Sequence, residues 1–136
     1  MTERREVPSG TAWGEIVGYS HAVRHGALIH VAGTTAALPD GGVVGEDDPG
    51  AQTTEVLRRI SAALNELGAE LTDVVRTRIF VTDIDDWEAI GRAHARVFGD
   101  VRPAATMVEV SRLIAPDLLV EIEADAVVSP TNPDGH

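Results

Sequence analysis

The chain contains no cysteine and no lysine. Without cysteine there are no disulfides, no thiolate metal ligands and no cysteine nucleophile. Without lysine no Schiff base can form, either to pyridoxal phosphate or directly to a carbonyl substrate. The phosphate loop GxxxxGK(S/T) likewise lacks its lysine. No serine stands in a GxSxG setting, which removes the nucleophile elbow. Apolar runs are short, and none approaches the roughly 18 residues of a membrane span. The opening MTERREVPSG has no apolar signal region. A soluble, cytoplasmic protein with no membrane partner is expected.

All 11 basic residues are arginine, and they face 22 acidic ones, for a net charge of −11. A nucleic-acid binder usually shows the reverse balance, because its affinity comes largely from cations neutralising phosphates. Nucleic acid is therefore disfavoured as a partner. The length of 136 residues, with 43% hydrophobic and 24% charged, fits one globular domain with a real core. Residues 1–10 and 129–136 are polar and turn-rich, and read as a loose N-terminal segment and a disordered tail around a single domain over 11–128.

Within that domain, 19–23 and 27–32 read as strands around His25-Gly26, a plausible hairpin. Asp48-Pro49 has the form of a helix start, and Val56, Leu57, Ile60, Leu64 and Leu67 then form one helical stripe, stopped by Gly68. Residues 74–82 are rich in β-branched side chains and predict a strand. Asp85 and Glu88 resemble a capping box for a second helix, with Trp87, Ile90, His94, Val97 and Phe98 on one face and Gly99 at its end. Residues 104–111 and 118–128 complete the strands. The expectation is an α+β domain: a single mixed sheet with two helices packed on one face. The uncovered face, judged apolar from these strands, calls for a partner and hence an oligomer.

In the last strand Glu121, Glu123 and Asp125 alternate onto one face. Such a row is commonly a solvated strand face. In a part-buried cleft, however, one carboxylate can have a raised pKa and serve as general acid or base. His94 lies on the apolar stripe of the second helix, either bonded within the core or projecting into a pocket. His21 and His30 could face each other, but two histidines without a third ligand make no zinc site, and no metal is expected. Tyr19, the only tyrosine, serves packing or recognition equally well. Arg58 and Arg59, and Arg76 with Arg78 on one strand face, are expected to be neutralised by nearby carboxylates. Arg102 could clamp an anion or simply lie on the surface.

Taken in order, Gly18-Tyr-Ser-His-Ala-Val23, Leu28-Ile-His-Val-Ala-Gly33, Gln52, Asp73-Val-Val-Arg-Thr77 and Phe80-Val-Thr-Asp83 resemble the Rid family of reactive-intermediate deaminases, also called YjgF/YER057c/UK114. The segments Arg102-Pro-Ala-Ala-Thr-Met-Val-Glu-Val110 and Glu121-Ile-Glu-Ala124 extend the resemblance over most of the chain. It implies a chorismate-mutase-like fold assembled as a homotrimer, with a central barrel and small-molecule clefts between subunits. In the deaminating members an arginine holds the carboxylate of an imino or enamino acid, a glutamate positions water, and ammonia is released without metal or organic cofactor. Carried over by position, Glu121 is that glutamate, and Tyr19 and Gly33 match the pocket. Ala32 stands in place of a serine, Gly91 of an asparagine, Ala105 of the arginine and Met107 of a cysteine. His94, one turn beyond Gly91, points at the same region and would assist Glu121. Arg102, three residues before Ala105 and outside the matched position, and Thr106, between Ala105 and Met107, complete the expected substrate-binding set. The implied activity is hydrolysis of an imine, an enamine or a related electrophile. Loss of the arginine at Ala105 favours a larger or neutral ligand over 2-iminopropanoate. A non-catalytic binding trimer with a regulatory or chaperone-like role is the alternative, and RNA cleavage a third reading.

Overall fold

Two strong local signals organise the middle of the chain. Asp48 caps the helix Pro49–Glu66, its side chain accepting from the Ala51 amide, with proline in the first turn. At the other end Gly68 takes φ +81°. The Ala69 amide then donates back to Leu64 O and the Gly68 amide to Asn65 O, a Schellman closure that satisfies the last carbonyls. The stripe Val56, Leu57, Ile60 and Leu64 is buried throughout. The computed structural model describes residues 3–129.

In chain order the elements are β1 (Arg4–Pro8), α1 (Ala12–Val17), β2 (Ser20–His25), β3 (Leu28–Thr34), α2 (Pro49–Glu66), β4 (Val74–Val81), α3 (Trp87–Phe98), β5 (Ala104–Glu109) and β6 (Val120–Val127). The strands form one mixed sheet in the order β1-β2-β3-β6-β4-β5. Only β4 and β5 are parallel, joined by the crossover helix α3; the other pairs are antiparallel. This is the α+β architecture expected from the sequence.

Cross-strand partners share a face, so the register assigns every side chain. Thr77, Ile79 and Val81 stand opposite Ala124, Ile122 and Val120 and form the buried layer under α2 and α3. Arg76, Arg78 and Phe80 stand opposite Asp125, Glu123 and Glu121 on the other face. That second face is strongly charged, not the apolar surface expected. The apolar residues of these strands are nearly all spent on the helix side, and alternation leaves the acids and arginines together.

The expected loose segment at 1–10 needs correction. Arg4–Pro8 forms an edge strand antiparallel to β2, with Val7 buried against the core. Its polar composition reflects an edge strand wetted on nearly every side chain. Helix α1 was not foreseen either; Thr11 caps it and Gly18 closes it at φ +81°. The hairpin turn falls at Gly26-Ala27, one residue later than read from sequence. The capping box of Asp85 and Glu88 does not form: Asp83 caps a 3₁₀ turn over Ile84–Asp86, and α3 follows without a side-chain cap. Glu88 pairs instead with Arg92, and Trp87 faces solvent. Ser129 lies just beyond β6, while the rest of the expected tail, 130–136, lies outside the described residues.

Candidate functional site

Where β3 ends and β6 begins, the sheet is irregular. The β3–β6 register shifts between Val31 and Thr34, and Ala32 and Gly33 occupy the interruption. Glu121 uses the space this opens. A Cβ placed on Gly33 would lie 2.0 Å from Glu121 Oε2 and 2.9 Å from its Cδ. The carboxylate thus rests directly on the Gly33 backbone, and only glycine permits that approach. Burial raises the pKa of Glu121, and the neighbouring charge of Glu123 raises it further.

Around this carboxylate lies a cavity of about 370 Å³. Tyr19, Ala32, Gly33 and Glu121, four of the residues singled out in the sequence, line it together. The Tyr19 hydroxyl lies 3.4 Å from Thr11 Oγ1 at the cap of α1, and Trp13 and Val17 of the same helix form an apolar wall. Sequence reading missed that wall because α1 was missed; Thr11 and Gly18, seven residues apart, were its available start and stop signals.

The cavity also holds polar groups that no sequence pattern assigned to it. His21 Nε2 lies 3.1 Å from Thr34 Oγ1, and that hydroxyl donates to the Ala32 carbonyl at 2.8 Å. The hydroxyl has one hydrogen, already used, so His21 Nε2 must donate and its Nδ1 carries the lone pair. Burial lowers the His21 pKa, and the charge of Arg59 lowers it further against a smaller opposing effect of Glu66. Arg59 itself reaches the cavity from α2. Its Nε donates to Glu55 at 2.7 Å and its Nη1 to the carbonyls of Thr35 and Ala37, both at 2.8 Å.

The remaining expected residues lie elsewhere. His94 is on the helix side of the sheet, its Nε2 3.0 Å from Thr77 Oγ1 and its ring tilted against Phe98. Thr77 is fully buried, and burial lowers the His94 pKa. Glu121 projects from the opposite face, so His94 does not assist it within one protomer. Within the protomer the histidine is a hydrogen-bonded packing residue. Arg102 is likewise no clamp at this cavity. It takes φ +53° at the turn after α3, and its Nε donates to Gly99 O at 3.0 Å. Ala105 and Met107 pair with Thr77 and Ile79 on β5, and Thr106 accepts from Arg76 Nη2 at 3.2 Å. Gly91 on α3 has open space where a side chain would project. None of these six residues lines the cavity around Glu121.

His21 and His30 do not face each other, because His30 Nδ1 lies 2.8 Å from Asp125 Oδ1 on the charged face. Burial alone would raise the Asp125 pKa, but hydrogen bonds from His30 and Arg78 outweigh it and lower it. Among the described residues no group of three or more His, Asp or Glu side chains could hold a metal ion. No described helix is long and apolar enough to cross a membrane.

Comparison with known proteins places this geometry. Residues 10–128 match the family described as Endoribonuclease L-PSP. A crystal structure of Rv2704 from Mycobacterium tuberculosis, a member of the YjgF/YER057c/UK114 family, superposes with a TM-score of 0.84 at 55% identity, covering 93% of this chain and all of that one. A RutC family protein of Pyrococcus abyssi is 39% identical over 126 residues, 93% of each chain. The 3-aminoacrylate deaminase RutC of Acinetobacter baylyi is 34% identical over 122 residues, 90% of this chain and 95% of the relative.

Proposed function

The chain belongs to the Endoribonuclease L-PSP family, the YjgF or Rid proteins, and from that premise we propose that it hydrolyses a small imine, enamine or related electrophile, with Glu121 as the group that activates water. One observation carries this reading: a carboxylate seated on the bare Gly33 backbone, partly desolvated, at the wall of a cavity large enough for a small molecule. A deaminase among its relatives agrees with it.

In this mechanism the ionised Glu121 takes a proton from water as the water oxygen bonds to the imine carbon and the C=N π pair moves to nitrogen. Nitrogen gains protons, one of them returned by the Glu121 carboxyl. The tetrahedral carbon then expels ammonia, its hydroxyl loses a proton, and a carbonyl forms. The balance is imine plus water giving carbonyl plus ammonia. An enamine enters the same route after protonation at carbon. Burial of Glu121 helps because a carboxylate with a raised pKa is the stronger base once ionised.

In the same reading the protein acts as a homotrimer with its clefts between subunits. One protomer supplies Tyr19, Ala32, Gly33 and Glu121, and its neighbour brings Gly91, Ala105, Thr106 and Met107 across the seam. Support comes from the separation of these two groups within one protomer, and from the exposed edge strand β5 that carries the second. RNA cleavage, which the family description names, is disfavoured by a net charge of −11.

The test is ammonia release from dehydratase-generated 2-iminopropanoate and from 3-aminoacrylate, with wild type and Glu121→Gln. Wild type is expected to accelerate at least one of them, and the variant to lose about 10²–10⁴-fold. The wild-type rate should rise with pH through a pKa above the ordinary carboxylate value, since only the ionised base works. Decay of both substrates at the uncatalysed rate would overturn the reading.

A further inference from the structure

By the family resemblance Ala105 stands where the deaminating members carry an arginine, and an alanine offers a substrate carboxylate no cation. The cavity nevertheless contains one. Arg59 enters from α2 with a side chain only 26% exposed, fixed by three hydrogen bonds to Glu55, Thr35 and Ala37. Those bonds use the Nε hydrogen and both Nη1 hydrogens. Among the described residues neither hydrogen of Nη2 has a partner, so this nitrogen is the donor left for a ligand.

The charge on this arginine is also incompletely balanced. Its carboxylate, Glu55, is shared with Arg58, which binds both oxygens at 2.8 and 2.6 Å. The hydrogen bonds from Arg58, more than those from Arg59, hold the Glu55 pKa at about 2 against the effect of burial. One negative charge therefore serves two positive ones in this cluster. The field of Arg59 is felt inside, where it helps keep His21 neutral. His21, already donating through Nε2, presents only a lone pair, so Arg59 is the cation of this wall.

We propose that Arg59 is the anion anchor of this cavity, binding the carboxylate of the ligand through Nη2 while Glu121, in the same lining, activates water. The ligand class is then a small oxo, imino or enamino acid, its carboxylate held by the protomer that supplies Glu121, not a neutral molecule selected by loss of the strand arginine. This assignment deepens the proposed hydrolysis and rests on the same cavity. It does not require turnover, because an anion can be held whether or not Glu121 activates water.

The experiment measures binding of pyruvate, 2-oxobutanoate and phenylpyruvate against neutral pyruvamide, by calorimetry or ligand-observed NMR. Wild type is expected to prefer at least one acid over the amide by about tenfold or more, the scale of one charge-assisted hydrogen-bond pair. Arg59→Gln should abolish that preference, leaving acid and amide bound about equally. Because Arg59 also ties down the loop at Thr35 and Ala37, a second variant guards against misfolding. Glu55→Gln keeps an acceptor for Nε but removes the shared negative charge, and should tighten acid binding several-fold. Absence of acid preference in wild type, retention of it in folded Arg59→Gln, or unchanged affinity in Glu55→Gln would each overturn the assignment. Arg59-dependent acid binding with no ammonia release would instead sink the hydrolytic reading and leave the anchor standing.

Discussion

At the residue scale, the contact between Gly33 and Glu121 carries the chemistry. Gly33→Ala would drive a methyl carbon into the carboxylate, so the side chain must swing away from the backbone it rests on. The expected outcome is a folded protein whose ammonia release falls by about 10–100-fold, approaching Glu121→Gln, from loss of positioning. Steady-state kinetics with circular dichroism on the same samples checks both halves. The glutamate was legible as a candidate from strand alternation, and the family resemblance chose it from three equivalent acids. What alternation could not supply was the register shift at Ala32-Gly33 that half-buries this carboxylate and leaves Glu123 wetter. Arg59 was legible only as a helix arginine with a carboxylate four residues before it. Its reach to Thr35 and Ala37 depends on how α2 lies against the end of β3, which is a tertiary fact.

At the scale of elements, α2 and β4 were readable because apolar period and terminal signals agree there. Helix α1 and strand β1 escaped because neither has an internal pattern: α1 buries no residue, and β1 buries only Val7. Helix α3 was found, but its histidine was read on a helical wheel that cannot say what lies opposite. Buried Thr77 on β4 answers that question. Thr77→Val should leave His94 Nε2 without a partner and cost about 1–2 kcal/mol, lowering Tm by several degrees in calorimetry. Turnover should stay within about threefold, since neither residue touches the cavity. Neutral His94 also sets a pH trend. Its folded-state pKa lies below the unfolded value of about 6.5, so the unfolded chain takes up a proton first as pH falls. The contribution of this histidine is complete above that value and is lost on acidification through the lowered pKa. His94→Gln should flatten that part of the stability profile, as read by denaturant melts between pH 7 and 5.

For the whole molecule, the proposed trimer predicts a sedimenting mass about three times 14.4 kDa. A monomer at all concentrations, measured by analytical ultracentrifugation, would remove the cleft between subunits. The two margins of the sheet bear on this expectation in opposite ways. At β1 the margin is studded with Arg4, Arg5 and Glu6 and stopped by Pro8, a combination that repels a visiting strand. At β5 the run Ala104-Ala-Thr-Met-Val108 has no charge and no proline, and its side chains stand largely in water. A protomer on its own is therefore a ribbon with one blunt selvedge and one adhesive one. If the proposed trimer covers the adhesive side, dilution below its dissociation range uncovers it, and losses should then gather in dilute purification sooner than on modest heating of the concentrated protein.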